Sequence, residues 1–135
     1  MEKKHGHPRF YEILEELAQL HSDKNYDYAA GGDPLSDFKR RAAIYALYPG
    51  LDLSDPAVVA LTDLMKQLNA ALWFYSNKHE AKVEGKRGRM RDVSVYSMIN
   101  MILEEEKQKE EKEESEKVKT FIKEVEEWNK VKEEK

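Results

Sequence analysis

The chain has 135 residues, of which 40% are hydrophobic and 37% charged, and its formal net charge is −4. That length suits one domain with an appendage; the lack of cysteine excludes disulfides and thiolate metal centres, and no apolar run approaches the roughly 18 residues of a membrane helix. Nine lysines and thirteen glutamates from Glu104 onward account for the whole net charge, so the first 103 residues are near neutral and offer no bulk electrostatic case for nucleic acid or a membrane surface.

Six glycines, four prolines and few clustered β-branched residues point to helices throughout. The opening MEKKHGHPRF has no apolar core of signal-peptide length, and a soluble, cytoplasmic protein is expected. The fold class expected is all-α: a four-helix bundle-like domain over residues 1–106, followed by a charged amphipathic helical tail over 107–135.

The first helix is expected from Pro8, whose fixed φ suits a first helical position, to about Lys24. Phe10, Ile13, Leu14, Leu17 and Leu20 recur at helical spacing on one face. Glu12, Glu15 and Glu16 share the other side. Glu12 and Glu16 lie one turn apart, a spacing that serves either a divalent cation or an ordinary solvated acidic face.

From Lys24 to Phe38 the chain reads KNYDYAAGGDPLSDF, which we expect to be a polar connection dense in chemistry-bearing groups. Within it Gly31-Gly32 reads as a turn, and Asp33-Pro34 as an N-cap with proline at the first helical position. The same device recurs at Asp55-Pro56. A second helix is expected over roughly Leu35 to Leu47 and a third over Pro56 to Asn77, where Val58, Leu61, Leu64, Met65, Leu68, Leu72 and Tyr75 keep a helical period interrupted or bordered by Lys66, Asn69 and Trp73.

Residues 78–91 are basic. A fourth helix is expected to begin between Gly88 and Asp92, and because its apolar residues cover more than one face it reads as the central, most buried helix. No apolar residue occurs from Glu104 to Lys117, a composition suited to a solvent-exposed helical extension. Val118, Phe121, Ile122, Val125, Trp128 and Val131 then restore an amphipathic stripe, expected to pair with its twin in a homo-oligomer, fold back on the domain or dock a partner protein through 118–131.

The histidines lack zinc spacing, no phosphate-cradling glycine motif occurs, and no serine sits in a nucleophile context. Lys24-Asn25-Tyr26-Asp27-Tyr28, Asp33-Pro34-Leu35-Ser36-Asp37-Phe38, Lys66, Glu84 and Arg91-Asp92-Val93-Ser94-Val95-Tyr96 together carry a resemblance. Over residues 8–106 the chain resembles the small, mostly bacteriophage-encoded nucleotide modification associated domain 1 proteins, which look related to all-α nucleoside triphosphate pyrophosphohydrolases of the MazG type.

The resemblance implies binding of a modified or unmodified deoxynucleoside phosphate, with Mg2+ as cofactor and metal-dependent hydrolysis between the α and β phosphates. It implies Glu12, Glu15, Glu16, Glu84 and Asp92 as metal carboxylates, with Glu12, Glu16 and Asp92 carrying catalysis. Lys24, Asn25, Asp27 and Tyr28 would line the ligand and Lys66 would reach a phosphate. The chain departs from the pattern at Gly88 and Arg89, where acidic residues are expected; losing them lowers metal affinity and separates binding from turnover. The alternative is a non-enzymatic helical interaction or virion-associated subunit in which the polar stretch caps helices and the tail assembles the particle. A nucleic-acid role for residues 78–91 is disfavoured by its two glutamates and lack of interleaved aromatics.

Overall fold

The computed structural model describes residues 5–29 and 32–134. Four helices follow in order: α1 (Pro8–Ala29), α2 (Ser36–Ala46), α3 (Pro56–Asn77) and α4 (Lys86–Glu133). The fold is all-α, with a long C-terminal helix, and no strand occurs among the described residues.

Pro8 does open α1, and the His7 ring nitrogen Nδ1 accepts the Arg9 amide at 3.1 Å, so a histidine serves where a capping oxygen usually would. The helix does not stop at Lys24. It continues to Ala29, so Lys24 to Tyr28 lie on its last turns rather than in a connection. The physical reason is local: Lys24-Asn25-Tyr26-Asp27-Tyr28-Ala29 contains no glycine or proline, and the breakers come only afterwards. Gly31 lies outside the described residues; the Gly32 amide donates to the Ala29 carbonyl at 2.8 Å.

Asp33 is not the N-cap of α2: Leu35 holds that position without a side-chain cap, and the helix starts one residue later than the expected Leu35. Asp33 Oδ1 accepts the Leu35 amide at 2.9 Å, the Asp33 carbonyl accepts the Ser36 amide at 3.0 Å, and the helix proper begins at Ser36. Asp55, by contrast, is a true N-cap: its side chain accepts the Ala57 amide at 2.9 Å, with Pro56 opening α3. At the other end Lys78 closes α3 in the left-handed conformation, φ 52°.

α3 is the strut. Asn100 donates to the Ala57 carbonyl at 2.9 Å and Arg89 donates to Gln67 at 2.8 Å, so α3 and α4 run antiparallel. Arg40 with Asn69 and Tyr45 with the Thr62 carbonyl set α2 antiparallel to α3 on another side. α1 meets α2 and α3 only through its C-terminal turns; every residue from Glu12 to Ser22 is exposed.

The expectation that α4 is the most buried helix is overturned. Only Arg89 is buried on α4, whereas α3 buries Ala57, Ala60, Gln67, Asn69, Ala70, Ala71 and Phe74. Asp92, Val93, Tyr96, Ser97, Asn100 and Leu103 turn partly inward, while Val95, Met98, Ile99, Met101 and Ile102 remain exposed on another face. Two apolar faces are present, as the pattern requires, but one chain covers only the first. α4 also crosses the expected 106/107 boundary without interruption; its 48 residues extend about 72 Å at 1.5 Å per residue, far beyond the 22-residue α3. From Glu105 to Glu134 every side chain is exposed.

Candidate functional site

The last two turns of α1, the segment 78–85 and the first turn of α4 converge on buried polar groups. Asp27 is 0% exposed. Its Oδ1 accepts the Lys82 amide at 2.6 Å, and its Oδ2 accepts the amides of Val83 and Glu84 at 2.9 and 3.0 Å. Three successive backbone donors compensate the desolvated carboxylate, as a ring of amides holds an anion. Asp27 thus ties the α3–α4 connection to α1, with both oxygens engaged within the chain.

Arg89, 3% exposed, is the centre of the second cluster. Its Nη1 donates to the Tyr28 hydroxyl at 2.7 Å and to Gln67 Oε1 at 2.8 Å, and lies 3.2 Å from Glu84 Oε2. Gly88 makes the last contact possible: a Cβ there would sit 2.9 Å from the Glu84 Cγ, so glycine leaves the space in which the Glu84 side chain lies. Burial lifts the Glu84 carboxyl above its ordinary range; the Arg89 charge opposes the rise, and Asp92 adds to it through a shared hydrogen bond and its own charge.

A third cluster joins α2 to α3. Asp37 is buried; its Oδ2 accepts from Arg41 Nη2 and Nε at 2.8 and 3.0 Å, and its Oδ1 accepts from Asn69 Nδ2. Arg40 donates to Asn69 Oδ1 and to the Tyr28 carbonyl, each at 3.3 Å, with its guanidinium 4.3 Å from the Trp73 ring. Asp37 stands in a motif that carries the resemblance and Asn69 borders the α3 stripe, but neither they nor Arg40, Arg41 or Gln67 are expected from sequence to take part in a site. The available signal was the polar Gln67 and Asn69 within an apolar α3 stripe.

Lys24, Asn25, Tyr28 and Lys66, four of the five residues expected to bind ligand, line one cavity of about 170 Å3 with His21, Pro34, Asp37 and Phe38. A second cavity of about 370 Å3 shares His21, Asn25 and Pro34 and is bounded by Tyr26 and Lys82. Asn25 stands between the two and holds the Pro34 carbonyl at 2.7 Å. Lys66 Nζ sits 5.7 Å from the Tyr28 ring centroid, and Lys82 Nζ 4.6 Å from that of Tyr26. The cleft therefore presents Lys24, Lys66 and Lys82 to an anion and aromatic surfaces to a flat group.

The five expected metal carboxylates divide into two sets. Glu84 and Asp92 meet at the start of α4. Glu12 and Glu16 lie sixteen and twelve residues before Tyr28, or about 24 and 18 Å along α1, and both are held by Arg9 Nη1, at 3.0 and 2.8 Å. Glu15 is exposed on the same free segment. Among the described residues no three His, Asp or Glu side chains converge as a metal site. Divalent magnesium demands a near-octahedral set of oxygens, and beside Glu84 and Asp92 the chain places a fixed guanidinium instead. These residues do not fit a magnesium centre within one chain.

Comparison with protein-family models, with curated proteins and with solved structures finds no match to this chain.

Proposed function

We propose that this chain binds a nucleoside phosphate in the cleft between the end of α1, α2 and α3, as a phage-type protein of deoxynucleotide metabolism acting in the host cytoplasm. The observation that supports the reading is the convergence of Lys24, Asn25, Tyr28 and Lys66 on one cavity that opens beside Tyr26 and Lys82. Lysines supply point charges for phosphate oxygens, Asn25 supplies a directional amide, and Tyr28 and Phe38 supply faces for a base. Binding without turnover suits the site better than hydrolysis. Metal-dependent phosphoryl chemistry needs converging carboxylates, and here Arg89 lies against Glu84.

The test is thermal stabilisation and calorimetry with deoxynucleoside mono- and triphosphates, run in Mg2+ and again in EDTA. Stabilisation of several degrees in both media, weakened at least tenfold by Lys24→Ala or Lys66→Ala, is the expected result. No shift with any nucleotide would remove the reading, and pyrophosphate release in Mg2+ would show that turnover occurs after all.

A second reading, a non-enzymatic helical assembly subunit, is favoured by the exposed stripe Val118, Phe121, Ile122, Val125, Trp128 and Val131 on α4. Such a stripe on the part of α4 from Glu105 to Glu134, where every side chain is exposed, suits a protein interface.

A further inference from the structure

From Arg89 to Glu133 α4 contains neither glycine nor proline, the residues at which helices bend sharply. Among the described residues, the last ion pair between α4 and the bundle is Lys107 with Asp55, at 3.2 Å. Val118 lies eleven residues further on, about 16 Å along the helix. The stripe that begins there cannot fold back on its own bundle without breaking α4. Yet Phe121 is 66% and Trp128 63% exposed, two large aromatic rings whose burial would be favourable.

Charge selects what covers it. Glu114, Val118, Phe121, Val125, Trp128 and Lys132 follow one another at alternating spacings of four and three, the seam of a heptad helix. This seam is acidic where it begins, basic where it ends and apolar between. A second copy laid on it antiparallel, with Lys123 at the centre, sets Glu114 of each copy opposite Lys132 of the other. It also sets Val118 opposite Trp128 and Phe121 opposite Val125, so every position meets a complement. Parallel pairing would instead oppose Glu114 to Glu114 and Lys132 to Lys132 within the seam. On the flanks the antiparallel alignment brings Ile122 against Ile122 and Glu124 against Glu124. The one repulsive flank pair offsets only part of the two attractive seam pairs.

We propose that two copies of this chain join by their tails as an antiparallel two-stranded coiled coil over residues 114–132, Glu114 of each copy facing Lys132 of the other. The pairing is isologous, as a two-fold contact must be. Lys107 stands sixteen residues from the centre, so the two bundles sit about 48 Å apart along the rod and their clefts stay free. This pairing rests on the reading of the chain as an assembly subunit, to which it adds the partner and its direction, and it holds whether or not the cleft binds nucleotide.

The chain has no cysteine, so one spin label can be placed on the full-length protein at a chosen site. Lys109→Cys and Lys123→Cys both lie on the outer side of α4, away from the seam. Pulsed dipolar spectroscopy at high protein concentration should find the labels at 123 separated only by the width of the pair. Labels at 109 should be displaced by about 42 Å along the axis and give a much longer distance. Glu114→Lys and Lys132→Glu should each reduce the coupled fraction several-fold, and the double variant should restore it. Phe121→Glu should abolish the coupling while the thermal melt of the bundle persists. Equal distances at 109 and 123 would overturn the antiparallel pairing while leaving an assembly subunit in place. No coupling at either site would overturn tail pairing itself, and a double variant no better than the single ones would overturn the facing of Glu114 and Lys132.

Discussion

Arg89 and Tyr28, sixty-one residues apart, are joined twice: Nη1 donates to the phenolic oxygen at 2.7 Å, and the guanidinium carbon lies 4.6 Å from the ring centroid. The hydrogen bond and the cation–π contact together fasten the end of α1 to the start of α4. A charged residue this deeply buried is tolerated because Gln67 and Glu84 engage the same Nη1, although its buried Nε has no hydrogen-bond partner among the described residues. It also brings Tyr28 into the wall of the cleft with a fixed orientation.

Removing that cation without replacing its hydrogen bonds should destabilise the bundle strongly. Arg89→Met is expected to lower unfolding free energy by about 3–5 kcal/mol, the usual result of orphaning one member of a buried pair. Urea denaturation at fixed protein concentration measures it, and a loss under 1 kcal/mol would show that the cluster carries little of the stability.

Arg89→Glu asks a different question of the same position. Wild-type protein should show no Mg2+- or Mn2+-dependent stabilisation, because Glu84 and Asp92 are only two carboxylates beside a cation. A third carboxylate there should create divalent-ion stabilisation of about 5 °C. If the variant is unfolded without metal, recovery of helicity on adding Mn2+ reads the same effect. Equal metal response in wild type and variant would contradict the account.

Asp27 is expected to matter for folding before it matters for any ligand. Asp27→Ala removes a buried carboxylate that three part-buried amides share and should cost about 3 kcal/mol. It should also release residues 79–85 to limited proteolysis. Unchanged stability and unchanged cleavage would mean that the connection is held by something else.

Glu84 gives a pH dependence whose sign follows from its raised carboxyl. A folded-state value above the ordinary 4.5 means the folded chain binds this proton more tightly than the unfolded chain does. Stability should therefore fall as pH rises from 4.5 through the raised value, and Glu84→Gln should flatten that limb. Asp33, held low chiefly by its hydrogen bond from Lys39, and Asp52, held low by Ser54, act in a separate window. Their contribution is present above the ordinary 3.8 and is lost as pH falls below it. Denaturation midpoints across the two windows separate the effects; identical slopes for wild type and Glu84→Gln would rule out Glu84 as the source.

Lys78 closes α3 with φ 52°, a conformation that glycine adopts without a Cβ penalty. Lys78→Gly is expected to raise stability by about 0.5 kcal/mol, the relief of left-handed strain exceeding the entropy of a freer unfolded chain. Thermal melts should show a small rise, and a fall would mean that the Lys78 side chain contributes more than its backbone costs.

The sequence by itself determined the helical class and several helix starts, though not the end of α1 at Ala29. Pro8, Asp55-Pro56 and the periodic apolar run of α3 act through neighbours within a few residues, so their consequences are local and legible. The alanine-free, apolar-free stretch after Glu104 likewise declared an exposed helix. Even the two apolar faces of α4 were visible, although the inference of burial was not warranted, since a face can be covered only by whatever chain is present. Tertiary structure alone decided which polar groups meet. Asp27 finds amides of residues 82–84, Asp37 finds Asn69, and Arg89 finds Tyr28 and Gln67 across gaps of 22 to 61 residues. No local period encodes such pairings, because they depend on helix crossing and register. For that reason Arg89, read along the chain as the loss of a carboxylate, is in three dimensions the group around which the end of α1, α3 and the start of α4 are joined.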